Sequence, residues 1–158
     1  MSSQTVSKNR YAYSYKSGKA CEDKFKELME ERGNTIVASS RLDNIHKHID
    51  FYLNGFGVDV KGNRHLDCIW LELDNVKGNN GWLRGKAEYI VFDVEELGSF
   101  CFFKRIDLLN WVLENITEYT DKKEFNKFYT RAKWGKKDKL VKVKYEEIKH
   151  LLTQSIAY

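Results

Sequence analysis

The stretch His46-Lys47-His48-Ile49-Asp50-Phe51-Tyr52-Leu53-Asn54-Gly55-Phe56-Gly57-Val58-Asp59-Val60-Lys61-Gly62-Asn63 reads as two alternating strands around Asn54-Gly55. Asn-Gly supplies the two positive φ angles of a two-residue type I′ turn, the strongest short hairpin signal. That loop fixes the register. Leu53 then faces Phe56, Phe51 faces Val58 and Ile49 faces Val60, which makes one face apolar. On the other face Asp50 lies opposite Asp59, and His48 lies opposite Lys61. Opposed side chains have Cβ atoms ~4.5–5.5 Å apart, and like charges at that separation destabilise a sheet. A divalent cation relieves two such carboxylates, and Mg²⁺ prefers carboxylate oxygens and water. Lys61, two residues beyond Asp59, shares its face and reaches whatever the ion holds. The bland alternative is a solvated hairpin in which Lys61 merely offsets the acids.

Outward from the hairpin the signals alternate between helix and strand. Residues 18–32 place Ala20, Cys21, Phe25, Leu28 and Met29 at helical spacing, with an opening at Ser17 and a stop at Gly33-Asn34. Residues 35–39 form a short strand, 69–76 an alternating strand and 77–81 a loop. The apolar run 87–94 pairs with 99–104 as a second hairpin. Residues 106–116 read as an amphipathic helix, 140–145 as a strand and 146–152 as a short helix. The fold class is α+β: a central mixed sheet, an N-terminal helix and a C-terminal basic helical and strand segment. The 158 residues suit one domain, with a core at about 17–116 and a basic segment at about 117–158.

Composition narrows the function classes. The net charge of +4 is unevenly spread: +4 over residues 1–20, −6 over 21–120 and +6 over 121–150. An acidic middle between basic ends reads as a cation-binding centre with phosphate-binding edges. The basic segment, which includes Lys133, Lys136, Lys137 and Lys139, interleaves Phe125, Phe128, Tyr129, Trp134 and Tyr145, as nucleic-acid surfaces do. No apolar run approaches the ~20 residues of a membrane span. Cys21, Cys68 and Cys101 form no Cys-x-x-Cys pair, which argues against a disulfide framework or zinc knuckle and for a reducing, cytoplasmic setting. There is no Walker loop, dinucleotide glycine fingerprint or nucleophile motif.

Glu22 in the first helix, Ile49-Asp50 and then Asp59-Val60-Lys61 on the next strand together resemble the PD-(D/E)xK nuclease superfamily, over roughly residues 17–63. The stretch from Trp70 through Ile90 also looks like phage-encoded proteins of this class. The resemblance implies an α/β/α-type, restriction-endonuclease-like core. It implies that Asp50 and Asp59 ligate Mg²⁺, with Mn²⁺ as a substitute ion. By the same resemblance Lys61 orients the attacking water, and Glu22 completes the catalytic set. The implied activity is metal-dependent DNA endonuclease action by a homodimer, in the host-cell cytoplasm if the chain is phage-encoded. Site-specific homing endonucleases and Holliday junction resolvases both fit, and a catalytically inactive nucleic-acid-binding module is the reading from another class. Two positions depart from the superfamily pattern. Ile49 stands at the motif's proline, and residues 64–86 read as strand, glycine-rich loop and turn where the superfamily has a helix.

Further candidates for DNA contact are His48, Lys77, Trp82 and Arg84. His46 and His48 alternate on the Asp50 face, the 77–82 loop offers backbone donors and a cation, and Trp82 suits stacking on a base. Glu72 is either an accessory ligand or a lysine's cross-strand partner.

Overall fold

The computed structural model describes the backbone from Ser3 and the side chains from Ser17 to Tyr158. Lys8, Arg10 and Lys16, part of the basic N-terminal end, lie outside the described side chains. Helix α1 spans Ser3–Glu31, so the Ser17-Gly18 pair does not open it. Its stop does fall at Gly33, where φ is 80°. There the Gly33 and Asn34 amides donate to Glu30 and Met29 carbonyls, a Schellman closure that only a left-handed residue permits.

Strands β1 (Ile36–Ala38), β2 (Phe51–Leu53), β3 (Phe56–Arg64), β5 (Tyr89–Val94), β6 (Ser99–Lys104) and β10 (Leu152–Ala157) form one sheet in the order β1-β2-β3-β5-β6-β10. The sheet is mixed: β3 and β5 run parallel, and the other neighbours are antiparallel. A second sheet has the order β4-β9-β8-β7, from β4 (Ile69–Asp74), β9 (Lys139–Val143), β8 (Phe128–Tyr129) and β7 (Tyr119–Thr120). The α+β class holds, with β10 an addition where no strand was expected.

Each face of the first sheet has its own core. Cys21, Phe25 and Met29, spaced one helical turn apart, bury the inner stripe of α1 against Phe51, Val58, Val60, Val91, Phe100 and Phe102. The opposite face packs Ile90, Phe92 and Phe103 against β4, β9 and helix α3 (Arg105–Asn115). That second layer is therefore a sheet plus α3, and not helices alone as an α/β/α core would have. Residues 64–86 contain β4, a turn and a 3₁₀ turn at Trp82–Arg84, in line with the sequence reading.

The main correction lies just before β2. Residues 41–47 are helix α2 (Arg41–Lys47), capped by Ser40, whose Oγ accepts the Asp43 amide at 3.1 Å. His48 ends α2 in the left-handed region, at φ 54° and ψ 47°. So His46 and His48 are not strand residues, and His48 does not face Lys61. Phe51 still pairs with Val58 and Leu53 with Phe56. Ile49, however, joins the core on the β4 side instead of facing Val60 on the α1 side.

Candidate active site

Asp50 sits where the hairpin ladder ends. Its amide donates to the Val58 carbonyl at 2.8 Å, and its carboxylate replaces the missing backbone acceptor. Oδ2 accepts the Val60 amide at 2.8 Å, and Oδ1 accepts from Asn44 Nδ2 of α2, also at 2.8 Å. Asp59 is in the middle of β3. Val58 and Val60 point to the α1 core, so alternation turns Asp59 and Lys61 to the opposite side, beside Ile90 and Phe92 of β5. Asp59 is only 2% exposed. Lys61 Nζ lies 3.0 Å from Asp59 Oδ1 and 5.1 Å from the centre of the Trp82 ring.

Asp59 Oδ2 is buried with no N–H donor among the described residues, and the Asp59 side chain has the Asp50 carboxylate as a hydrogen-bonding neighbour. Leaving an acceptor of an ionisable group dry costs several times what an ordinary hydrogen bond contributes. Burial is the largest influence on Asp59 and pushes its carboxyl up to about 8; Lys61 opposes this, and Asp50 adds to it. Glu22 is pushed up to about 7, first by burial and next by the Asp50 charge, with Lys19 and Lys61 opposing. Asp50 therefore links the other two acids. Arg64, at the end of β3, adds a half-buried cation whose charge interacts with Asp59 and whose own pKa is lowered, chiefly by loss of hydration.

Glu22 reaches this site because α1 crosses β3 closely. A Cβ at Gly62 would stand 3.1 Å from Cys21 Cβ and 3.2 Å from its Sγ, so any larger residue would require the helix to give by a few tenths of an ångström. Glu22 and Asp50 then line a cleft of about 630 Å³ together with Lys19, Arg41 and Asn44. Among the described residues, no three His, Cys, Asp or Glu side chains are grouped so as to hold a metal ion. An ion that rests on Asp50 and Asp59 would complete its shell with water, as Mg²⁺ commonly does. The Asp59 oxygen without an N–H donor and the all-oxygen donors fit a hard divalent cation.

Asp50 adjoins both Glu22 and Asp59, and Lys61 pairs with Asp59, although the three acids form no single cluster; the other candidates lie elsewhere. Trp82 is 7% exposed and packs on Phe92 with ring centres 6.2 Å apart, so its ring is not open to a base. His48 Nε2 meets the Asn80 carbonyl at 3.1 Å. Glu72 lies in the second sheet and packs against Gly81. Lys133 pairs with Asp121 at 2.6 Å, while Lys136 and Lys137 are exposed. Arg84 and Lys139 flank Asp74 at 3.6 and 4.0 Å, which draws the loop candidates and the basic segment together. Sequence reasoning missed Asn44, Lys19, Arg41 and Arg64. The cap signal Ser40-Arg41-Leu42-Asp43 marks the helix that carries Asn44. No family model, no curated protein and no solved structure matches this chain.

Proposed function

We propose that this chain is a metal-dependent DNA endonuclease that hydrolyses phosphodiester bonds at Glu22, Asp50, Asp59 and Lys61. One observation carries the reading: the buried Asp59 carboxyl, with no N–H donor on Oδ2, lies against a second carboxylate and a lysine. A divalent cation relieves the repulsion between the two carboxylates and supplies the charge that this oxygen lacks. When bound, a divalent ion supplies positive charge at the reacting phosphate and makes hydroxide accessible near neutral pH.

The chain's own groups then have separate tasks. Asp50, fixed by Asn44 and the Val60 amide, and Asp59, fixed by Lys61, present their oxygens with little freedom to move. Lys61 places an ammonium beside the nucleophile and meets the charge that grows during attack. Glu22, raised towards neutrality at the cleft wall, is suited to take a proton from water and release it again. DNA is held by its phosphates through the basic segment and without reading sequence. A double-strand cut needs two such sites, one for each strand, so the working form in this reading is a homodimer acting in the cytoplasm. Among the described residues, no helix is long and apolar enough to cross a membrane.

A second reading, a DNA-binding module without hydrolysis, is favoured by the lack of a third clustered ligand. The test is incubation with supercoiled plasmid, linear duplex, single strand and a four-way junction in Mg²⁺, Mn²⁺ or EDTA. Nicking that EDTA abolishes is the expected result; binding without any cleavage under all conditions would leave the second reading.

A further inference from the structure

A second cleft of about 630 Å³ lies on the side of α2 away from Asp50, between the helix and residues 75–86. Lys77, Arg84, Lys86, His46 and His48 line it, and among the described residues no carboxylate does. Its depth depends on Gly85, where a Cβ would stand 2.9 Å from the Lys47 carbonyl and 3.0 Å from His48 Cβ. Arg84 Nε is buried and has no hydrogen-bond acceptor, because Asp74 at 3.6 Å is too distant to accept a proper hydrogen bond. The basic segment reaches the same rim. Lys137 donates its amide to the Val76 carbonyl at 3.1 Å, and its stem packs over Gly78. Among the described residues, Lys77, Lys86 and Lys137 make no ion pair, so their charge is uncompensated.

We propose that this cationic cleft holds the phosphate backbone of duplex DNA next to the point of cleavage. Helix α2 then stands between a carboxylate cleft for the reacting phosphate and a cationic cleft for its neighbours. The inference rests on DNA being the substrate. Among the described residues no Phe, Tyr or Trp lines the cleft, so they offer no such ring for an unstacked base. Single-strand sites depend on such stacking, whereas a duplex backbone needs only cations and donors. The cations come from residues 77–86 and from residue 137, which suits a polymer more than one small anion.

The experiment is fluorescence anisotropy of a labelled random-sequence duplex, titrated at several NaCl concentrations in Ca²⁺. Lys77→Ala with Lys86→Ala should weaken binding on the order of tenfold for every sequence and reduce the salt slope by about two. Lys77→Arg with Lys86→Arg should restore both values. Unchanged affinity and slope in the alanine variant would overturn the proposal. So would displacement of the duplex by a nucleoside triphosphate as effective as unlabelled duplex at equal phosphate concentration. Because the readout is binding, a parent protein that never cleaves would sink the hydrolytic reading and leave this measurement intact. A parent that cleaves, with binding indifferent to both lysines, would sink only this one.

Discussion

The two sides of helix α2 meet opposite physical conditions. On one side, half-buried Glu22 and Asp50 crowd together, with the buried Asp59 behind Asp50, and the fold bears the cost of that crowding. On the other, lysines stand in water with their charge unopposed, and the fold scarcely notices them. Substitutions on the first side should therefore change chemistry and stability, and those on the second should change only binding.

The largest effect is expected for Lys61→Ala. Its ammonium sits against Asp59 and over Trp82. Loss of a group that acts on developing charge should cut turnover by roughly 10²-fold or more while DNA affinity stays within a few-fold. Plasmid nicking in Mg²⁺ beside gel shift in Ca²⁺ measures both. A variant that cuts at the parental rate would erase the distinction between the two sides.

Next comes Gly62→Ala. The new methyl meets Cys21 at 3.1 Å, so α1 must retreat from β3 at a cost of about 1–3 kcal/mol. The neighbouring Glu22 retreats with it, so melting temperature and nicking rate should fall together. A loss of stability with full activity would remove Glu22 from the mechanism.

The pH dependence sharpens the comparison further. Glu22 and Asp59 are raised to about 7 and about 8 from ordinary values of 4.5 and 3.8. The folded, metal-free protein thus keeps protons that the unfolded chain has already released. Stability should be greatest below pH ~4 for these two groups and should fall as pH climbs through 7 and 8, the reverse of a salt-bridged carboxylate. Mn²⁺ favours the ionised forms and should blunt that fall, and Asp59→Asn should flatten it. Melting curves across the range, with and without Mn²⁺, give the sign directly.

The smallest effect on the fold belongs to Lys136→Ala with Lys137→Ala. Both side chains are exposed, so stability should stay within about 0.5 kcal/mol of the parent. Binding should still lose up to about two units of salt slope. A large drop in denaturation midpoint would mean that the basic segment is structural.

Much of the site was legible because one turn fixes it. Asn54 and Gly55 take φ values of 50° and 89°, as their residue types demand, and the register that follows sets Asp50 near Asp59. Helix α2 was not legible. It has seven residues and none of them is buried, so it has no apolar stripe; the alternation of His46, His48 and Asp50 imitates a strand. Only the Ser40 cap betrays it. Strand β10 was hidden for a related reason: as an edge strand rich in Thr, Gln and Ser, it borrows its order from β6. The second sheet lay beyond reach because strands 69–74 and 139–143 are matched by long-range pairing, which no local pattern encodes.

The parallel pairing of β3 with β5 has a kinetic consequence. Val58 finds Phe51 across a two-residue turn, but it finds Tyr89 only after β4 and its turn have been placed. Hairpins close in microseconds, whereas distant parallel pairing must first overcome the entropy of a long closed loop. During that interval β3 offers an open, valine-rich edge to any other chain. Refolding yield should therefore decline with protein concentration, and the lost material should be aggregates seeded at residues 56–64.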